Sequence, residues 1–207
     1  MRRKACALAA VLLVTGCATS MTPIKDPTVP IQSYGFSFLP PQEPGWYRLD
    51  DRHMRNTDCV MLGKKDSNSK THTLAILVCR HQGFDPAVAG FPDYATKPEA
   101  FAEYVKRNVK HSNPPTGRMK ILELEVIPAA QPGYCAKTRA KFEDHGSAVA
   151  PDVLLQDDWS YTCLHPSSSK VIIQFGISER GLPGEHDPDL AEVRDRFLKD
   201  FKFRPLE

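Results

Sequence analysis

Residues 57–81 read TDCVMLGKKDSNSKTHTLAILVCRH. Two apolar runs, 57–64 and 71–81, flank a polar segment whose Asp66, Ser67, Asn68 and Ser69 are turn formers. The pattern predicts an antiparallel hairpin that turns near Ser69. In its second arm Leu74, Ile76 and Val78 share one face, and Ala75, Leu77 and Cys79 share the other. An arm that is apolar on both faces reads as a central strand of a sheet. Cys59 and Cys79 stand ten residues either side of Ser69, so the hairpin sets them opposite each other. Opposed residues on antiparallel strands have Cα atoms roughly 4.5–5.5 Å apart, within reach of a disulfide.

The same reasoning applies downstream. Residues 134–143 and 154–164 read as two strands of a hairpin centred near Val149. Cys135 and Cys163 lie fourteen residues either side of that centre. The expected disulfides are therefore Cys59–Cys79 and Cys135–Cys163. No C-x-x-C is present, which excludes a thioredoxin-like site.

The remaining elements follow from periodicity. Tyr34, Phe36 and Phe38 alternate with small residues and predict one buried strand face. Residues 46–49 predict a second short strand after the Pro44-Gly45 turn. Thr96 with Glu99 forms a capping box, and Pro98 suits a first helical turn. Phe101, Tyr104, Val105 and Val109 then follow helical spacing. In 119–127, Leu122, Leu124 and Val126 alternate with Glu123 and Glu125 as a strand should. Residues 170–178 form another strand, with Val171, Ile173, Phe175 and Ile177 on one face. Asp187 and Pro188 open a last helix striped by Leu190, Val193, Phe197 and Leu198. Residues 201–203 add a final short strand. The sum is an α+β fold, a mainly antiparallel sheet of about six to seven strands with two helices packed on it.

The start of the chain is of another kind. Arg2, Arg3 and Lys4 precede ten apolar residues, Ala5 to Val14. That run is short for a permanent span, which needs roughly 20 residues, but it suits a secretory leader. Val14-Thr15-Gly16-Cys17 follows and resembles the lipobox of bacterial lipoproteins. The resemblance implies cleavage after Gly16, diacylglycerol on the Cys17 sulfur, and a further fatty acyl chain such as palmitate on the new amino terminus. Two or more chains hold a protein on a bilayer where one is marginal, at about 0.8 kcal/mol per buried methylene. The expected organisation is a signal peptide at 1–16, a lipidated tether at 17–33 rich in Pro23, Pro27 and Pro30, and one globular domain at 34–207. Location follows: the cell envelope, facing the periplasm, with Ala18 favouring the outer membrane. An exported chain is also where paired cysteines persist.

Composition narrows function. The net charge is +2, but the leader holds three of the 27 basic residues and none of the 25 acidic ones, so the mature chain is near neutral. That gives no basic patch for nucleic acid. The seven histidines (His53, His72, His81, His111, His145, His165 and His186) show no metal-ligand spacing and read as exposed loop residues. There is no G-x-S-x-G elbow, P-loop or G-x-G-x-x-G, so no catalytic, cofactor-binding or metal residue is assigned and no cofactor is expected. The most suggestive polar stretch is Ser178-Glu179-Arg180-Gly181, where a core strand ends in a loop. The aromatics Tyr34, Phe36, Phe38, Trp46, Tyr47, Trp159 and Tyr161 suit either core or a pocket.

The element order, with YGFSF near the start and an amphipathic helix at the end, resembles the Mog1/PsbP-like fold. It is also similar to small uncharacterised proteobacterial lipoproteins with a "GFSF-P…W" start and an "SERG…DPDL" finish. The resemblance transfers no catalytic residue. The expected function is a membrane-tethered, non-catalytic domain that binds a small ligand or an envelope protein. The alternative is an envelope hydrolase using Ser178, Glu179 or a histidine.

Overall fold

The computed structural model describes residues 21–49, 52–54, 56–65, 69–83, 90–91, 93–130, 134–146 and 152–207. The expected signal peptide at 1–16 and the lipidation residue Cys17 lie outside the described residues.

Twelve strands and two helices are described. They run β1 (Met21–Pro23), β2 (Ile31–Ser33), β3 (Phe36–Phe38), β4 (Trp46–Leu49), β5 (Arg52–Met54), β6 (Thr57–Lys65) and β7 (Thr73–Gln82). Then come α1 (Pro98–Ser112), β8 (Met119–Ala130), β9 (Tyr134–Asp144), β10 (Leu154–His165), β11 (Ser168–Gly181), α2 (Leu190–Asp200) and β12 (Lys202–Phe203). A nine-stranded sheet has the order β1-β4-β6-β7-β11-β10-β9-β8, with β5 also paired to β6. A three-stranded sheet has the order β12-β3-β2. Each recorded strand pair is antiparallel. The α+β class holds, with more strands than the six or seven expected.

β7 is internal, between β6 and β11, as its apolar faces require. Its Leu74, Ile76 and Val78 enter the larger core, with Phe36 and Phe38 of β3, Phe175 of β11, and Val193 and Phe197 of α2. Full burial of such side chains contributes about 1.5–3 kcal/mol each. Phe201 stacks on Phe175 with centroids 3.7 Å apart and closes this core at the end of α2. The opposite face carries a smaller core, in which Phe101, Tyr104 and Val105 of α1 meet Ala136, Leu164 and Ile172. The large sheet is thus a middle layer, with α2 and the small sheet on one side and α1 on the other.

Both hairpins have the expected register. Cys59 lies opposite Cys79, and Cys135 opposite Cys163. Both pairs are disulfides, with Cα separations of 4.1 and 4.0 Å. Cys135 and Cys163 belong to the larger core, whereas at the other pair it is the neighbours Val60 and Val78 that do, and not Cys59 and Cys79. By alternation, the two bonds therefore sit on opposite faces of the sheet. Each closes a loop long enough to stabilise by about 3 kcal/mol on the chain-entropy account.

The expected tether is corrected. Residues 21–33 add β1 against β4 and β2 against β3, so ordered structure begins by Met21 rather than at Tyr34. Ile24 and Ile31 pack on the larger core, and Asp26 Oδ1 accepts from Thr28 N at 2.9 Å to form the intervening turn. Pro23 is tolerated because it ends an edge strand. Tyr34 is also corrected: it is 64% exposed. It forms the β2–β3 turn with Gly35, whose φ of 89° is the left-handed conformation that glycine adopts without strain.

Three local expectations differ as well. Leu122 is 52% exposed, because β8 bulges between Ile121 and Glu123 and turns it out of the alternation. That bulge, with Pro128, blunts an edge strand that would otherwise offer unpaired backbone. Thr96 is not the helix cap. α1 is preceded by Lys97 without a side-chain cap bond, and Thr96 Oγ1 donates to Asp93 O at 3.2 Å. α2 starts at Leu190, two residues beyond Pro188. Asp187 instead accepts from Asp189 N at 2.9 Å and pairs with Lys64 at 2.9 Å.

Candidate functional site

Strand alternation sends one set of side chains from β9, β10 and β11 towards α1. From β9 these are Thr138, Ala140 and Phe142; from β10, Asp158, Ser160 and Thr162; from β11, Ile172 and Gln174. Tyr104, Val105, Asn108, Val109 and Ser112 of α1 roof the space, and His81 of β7 closes one end. The result is a groove of about 550 Å³, the size of a small-molecule site. It continues into a recess of about 170 Å³ over Ala75, Leu77, Gly176 and Ser178, with Asp158, Ser160 and Gln174 shared.

Gly176 shapes the floor. It lies opposite Ser160, and a Cβ there would meet Ser160 Cβ at 2.5 Å and Trp159 O at 2.6 Å. Absence of a side chain lets β10 and β11 approach and keeps the groove open.

The lining is polar for an interior sheet face. Thr138 is 5% exposed, and its Oγ1 has no hydrogen-bond partner among the described residues. A buried hydroxyl without a partner costs about 1–3 kcal/mol. Asp158 accepts from Gln156 Nε2 at 2.9 Å. Burial pushes its carboxyl up to about 6, the neighbouring Asp157 charge adds to this, and the Gln156 bond opposes it. His81 moves the other way: burial lowers it, against a ring N–H donated to Gln174, which favours the charged form. Its Nδ1 lies 3.1 Å from Thr57 Oγ1. Burial raises Tyr104, so it too is neutral at pH 7. Asp158 is then the one charge in this lining at neutral pH, among the described residues.

Asp158 and His81 do not converge. Asp158 lies opposite Ser178, and His81 opposite Ile172, six residues earlier along β11. At about 3.3 Å per residue and 4.8 Å per strand gap, they stand roughly 20 Å apart. Proton transfer between groups needs about 3 Å, or one intervening water.

The Ser178–Gly181 stretch divides between faces. Ser178 lines the recess. Glu179 points away and accepts from His72, Nε2 to Oε1 at 2.8 Å, with both side chains buried. The same Oε1 accepts from Asp187 N at 2.5 Å. Nearby Glu185 accepts from Ser69 Oγ, Thr71 Oγ1 and Leu182 N at 2.8, 2.7 and 2.7 Å. This set of bonds fastens the loop before α2 to the β6–β7 hairpin. Arg180 reaches Asp144 at 3.3 Å, beside the Arg118 fork, whose Nε and Nη2 donate at 2.5 Å each. Ser178 and Glu179 thus do not share a site.

The histidines are partly corrected. His72 and His165 are buried, the latter 2.9 Å from Arg204 O, because each has a protein partner to satisfy its ring. His111, His145 and His186 are exposed as expected; the side chain of His53 lies outside the described residues. Among the described residues, no group of three His, Cys, Asp or Glu is placed to hold a metal. Of the aromatics, Phe36, Phe38 and Trp46 are core, and Trp159 alone borders the recess.

Sequence reasoning missed Thr138, Asp158, Ser160, Thr162 and Gln174. Their signal is a polar period of two, Gln156, Asp158, Ser160 and Thr162, on a strand that carries Trp159, Tyr161 and Cys163 on its other face. In sequence this is indistinguishable from a solvent face. No family model and no curated protein matches the chain.

Proposed function

We propose that the chain is a lipid-anchored protein of the bacterial envelope whose domain is a non-catalytic binding module, with the groove beneath α1 as its ligand site. One observation carries the reading. The groove is bounded by an interior sheet face with a buried, unsatisfied hydroxyl at Thr138, yet its ionisable groups are spread along it rather than gathered on one atom. A binding site needs the former; acid–base or nucleophilic catalysis needs convergence. For the hydrolase alternative, which would use Ser178, Glu179 or a histidine, Ser178 lines the recess while Glu179 lies on the other face of β11 against His72. The three layers also suit a Mog1/PsbP-like sandwich, a fold that serves as a scaffold and implies no chemistry.

The anchor reading rests on the lipobox and the two disulfides, which fit an oxidising compartment. Three residues separate Cys17 from the first described strand, which starts at Met21, a reach of at most about 10 Å. An anchored domain would lie against the headgroups rather than extend from them, with the outer membrane favoured by Ala18. The test is Cys17→Ala in a bacterial host with labelled palmitate. The wild type incorporates label and resists a carbonate wash, and the variant does neither. A variant that still pellets overturns the anchor. For the groove, native mass spectrometry of the chain released from membranes should show a retained small molecule. Crosslinking that places a protein segment in the groove would overturn the small-ligand reading.

A further inference from the structure

We infer that the groove takes a small molecule carrying a protonated amine, with Asp158 as its counter-ion and Thr138 beside it. This rests on the reading of the groove as a ligand site. The lining has no lysine or arginine among the described residues, so an anionic ligand finds no partner there. Among the described residues, Asp158 is held by one hydrogen bond, from Gln156, and has no cation against it. A partly buried carboxylate without a cation is costly, and a ligand that brings one removes that cost.

Two further observations point the same way. Thr138 Oγ1 is buried without a partner and borders the same space. Ala140 is opposite Asp158, and Thr138 is the next residue on that face, a diagonal spacing of about 7–8 Å that a primary amine can bridge. The C-terminal turn of α1 also lines the groove through Val109, Ser112 and Asn113. A helix C-terminus carries partial negative charge from its unpaired carbonyls; here the Val109 carbonyl accepts from Asn113 Nδ2 at 2.9 Å. Lys110 and His111 in that turn are exposed and outside the lining. Ser178 lies opposite Asp158 on β11, Asp157 points to the other face of β10, and the other titratable groups of the lining, His81 and Tyr104, are neutral at pH 7. The cavity is too large for a bare ion and suits an organic amine.

The binding step exchanges a proton when it starts from neutral Asp158, so affinity falls as the solution becomes acidic. The experiment uses the ¹⁵N-labelled full chain in neutral detergent micelles. The probes are putrescine, its uncharged analogue 1,4-butanediol, and the dianion succinate, each at millimolar concentration. Putrescine should shift the amides around Thr138 and Asp158 and bind at least about tenfold tighter than the diol near pH 8. Its affinity should fall about tenfold near pH 5. Asp158→Asn should erase the preference for putrescine over the diol with the amide spectrum otherwise retained, and Thr138→Val should weaken putrescine alone. If the diol or succinate shifts these amides as strongly as putrescine does, the amine assignment is overturned and the groove remains a site for polar ligands. If none of the three shifts them, both readings fail.

Discussion

Asp158→Asn should make the protein more stable, and by an amount that depends on pH. The ordinary value of an aspartate is 3.8, and burial raises Asp158 to about 6. Holding the ionised form in place therefore costs about 3 kcal/mol at most. Asp158 keeps partial exposure at the groove, and water at that edge reduces the cost by about half, to about 1.5 kcal/mol. The sign follows from proton binding. Between pH 4 and 6 the folded chain holds this proton and the unfolded chain has lost it, so stability falls as pH rises through that window. Asparagine cannot ionise and preserves the shape of the neutral acid. The variant should match the wild type near pH 4 and exceed it by about 1.5 kcal/mol near pH 8. Urea unfolding followed by Trp46 and Trp159 fluorescence, with both disulfides intact, measures this. With a slope of about 2 kcal/mol/M, the midpoint should rise by about 0.7 M at the higher pH. A gap of the same size at every pH, or a less stable variant near pH 8, would refute a raised Asp158. A residue that lowers stability in the free protein is the expected mark of a site shaped for a ligand.

Two other perturbations test the frame around the groove. Gly176→Ala places a Cβ 2.5 Å from Ser160 Cβ and 2.6 Å from a backbone oxygen; neither can move without parting β10 from β11. A loss of about 2–3 kcal/mol is expected in urea unfolding, and a loss under about 0.5 kcal/mol would show that the strands are not so closely apposed. Asp144 works in the opposite sense to Asp158. The Arg118 hydrogen bonds, against the effect of burial, hold its carboxyl down to about 2. Its stabilisation is present above about pH 4 and is lost as pH falls towards 2. Arg118 is half exposed, so screening limits the contribution to about 1 kcal/mol. Thermal melts of Asp144→Asn should show that deficit at pH 7 and none near pH 2.

The resolved parts of the sequence reading share a local origin. A hairpin's register depends on its turn and on the period-two pattern of its own arms, so Cys59–Cys79 and Cys135–Cys163 followed from counting outward from Ser69 and Val149. α1 and α2 followed from apolar spacing within a single helix. Errors arose where partners are distant in the chain. Residues 21–33 look like a proline-rich linker until β4 and β3 supply edges for them to pair with. Asp187 looks like a helix cap until Lys64 reaches it from a strand 123 residues away.

The groove belongs to the second class. Residues 154–164 determine by themselves that Asp158, Ser160 and Thr162 share one face of a strand, because a strand's side chains alternate. Whether that face meets water or an enclosed space depends on where α1 lies, and its position is set by Phe101, Tyr104 and Val105 packing on Ala136, Leu164 and Ile172. Covalent links and strand faces were written in the local sequence. The burial that raises Asp158 and isolates the Thr138 hydroxyl comes only from the helix brought over them, because desolvation is a property of assembled layers and not of any one segment.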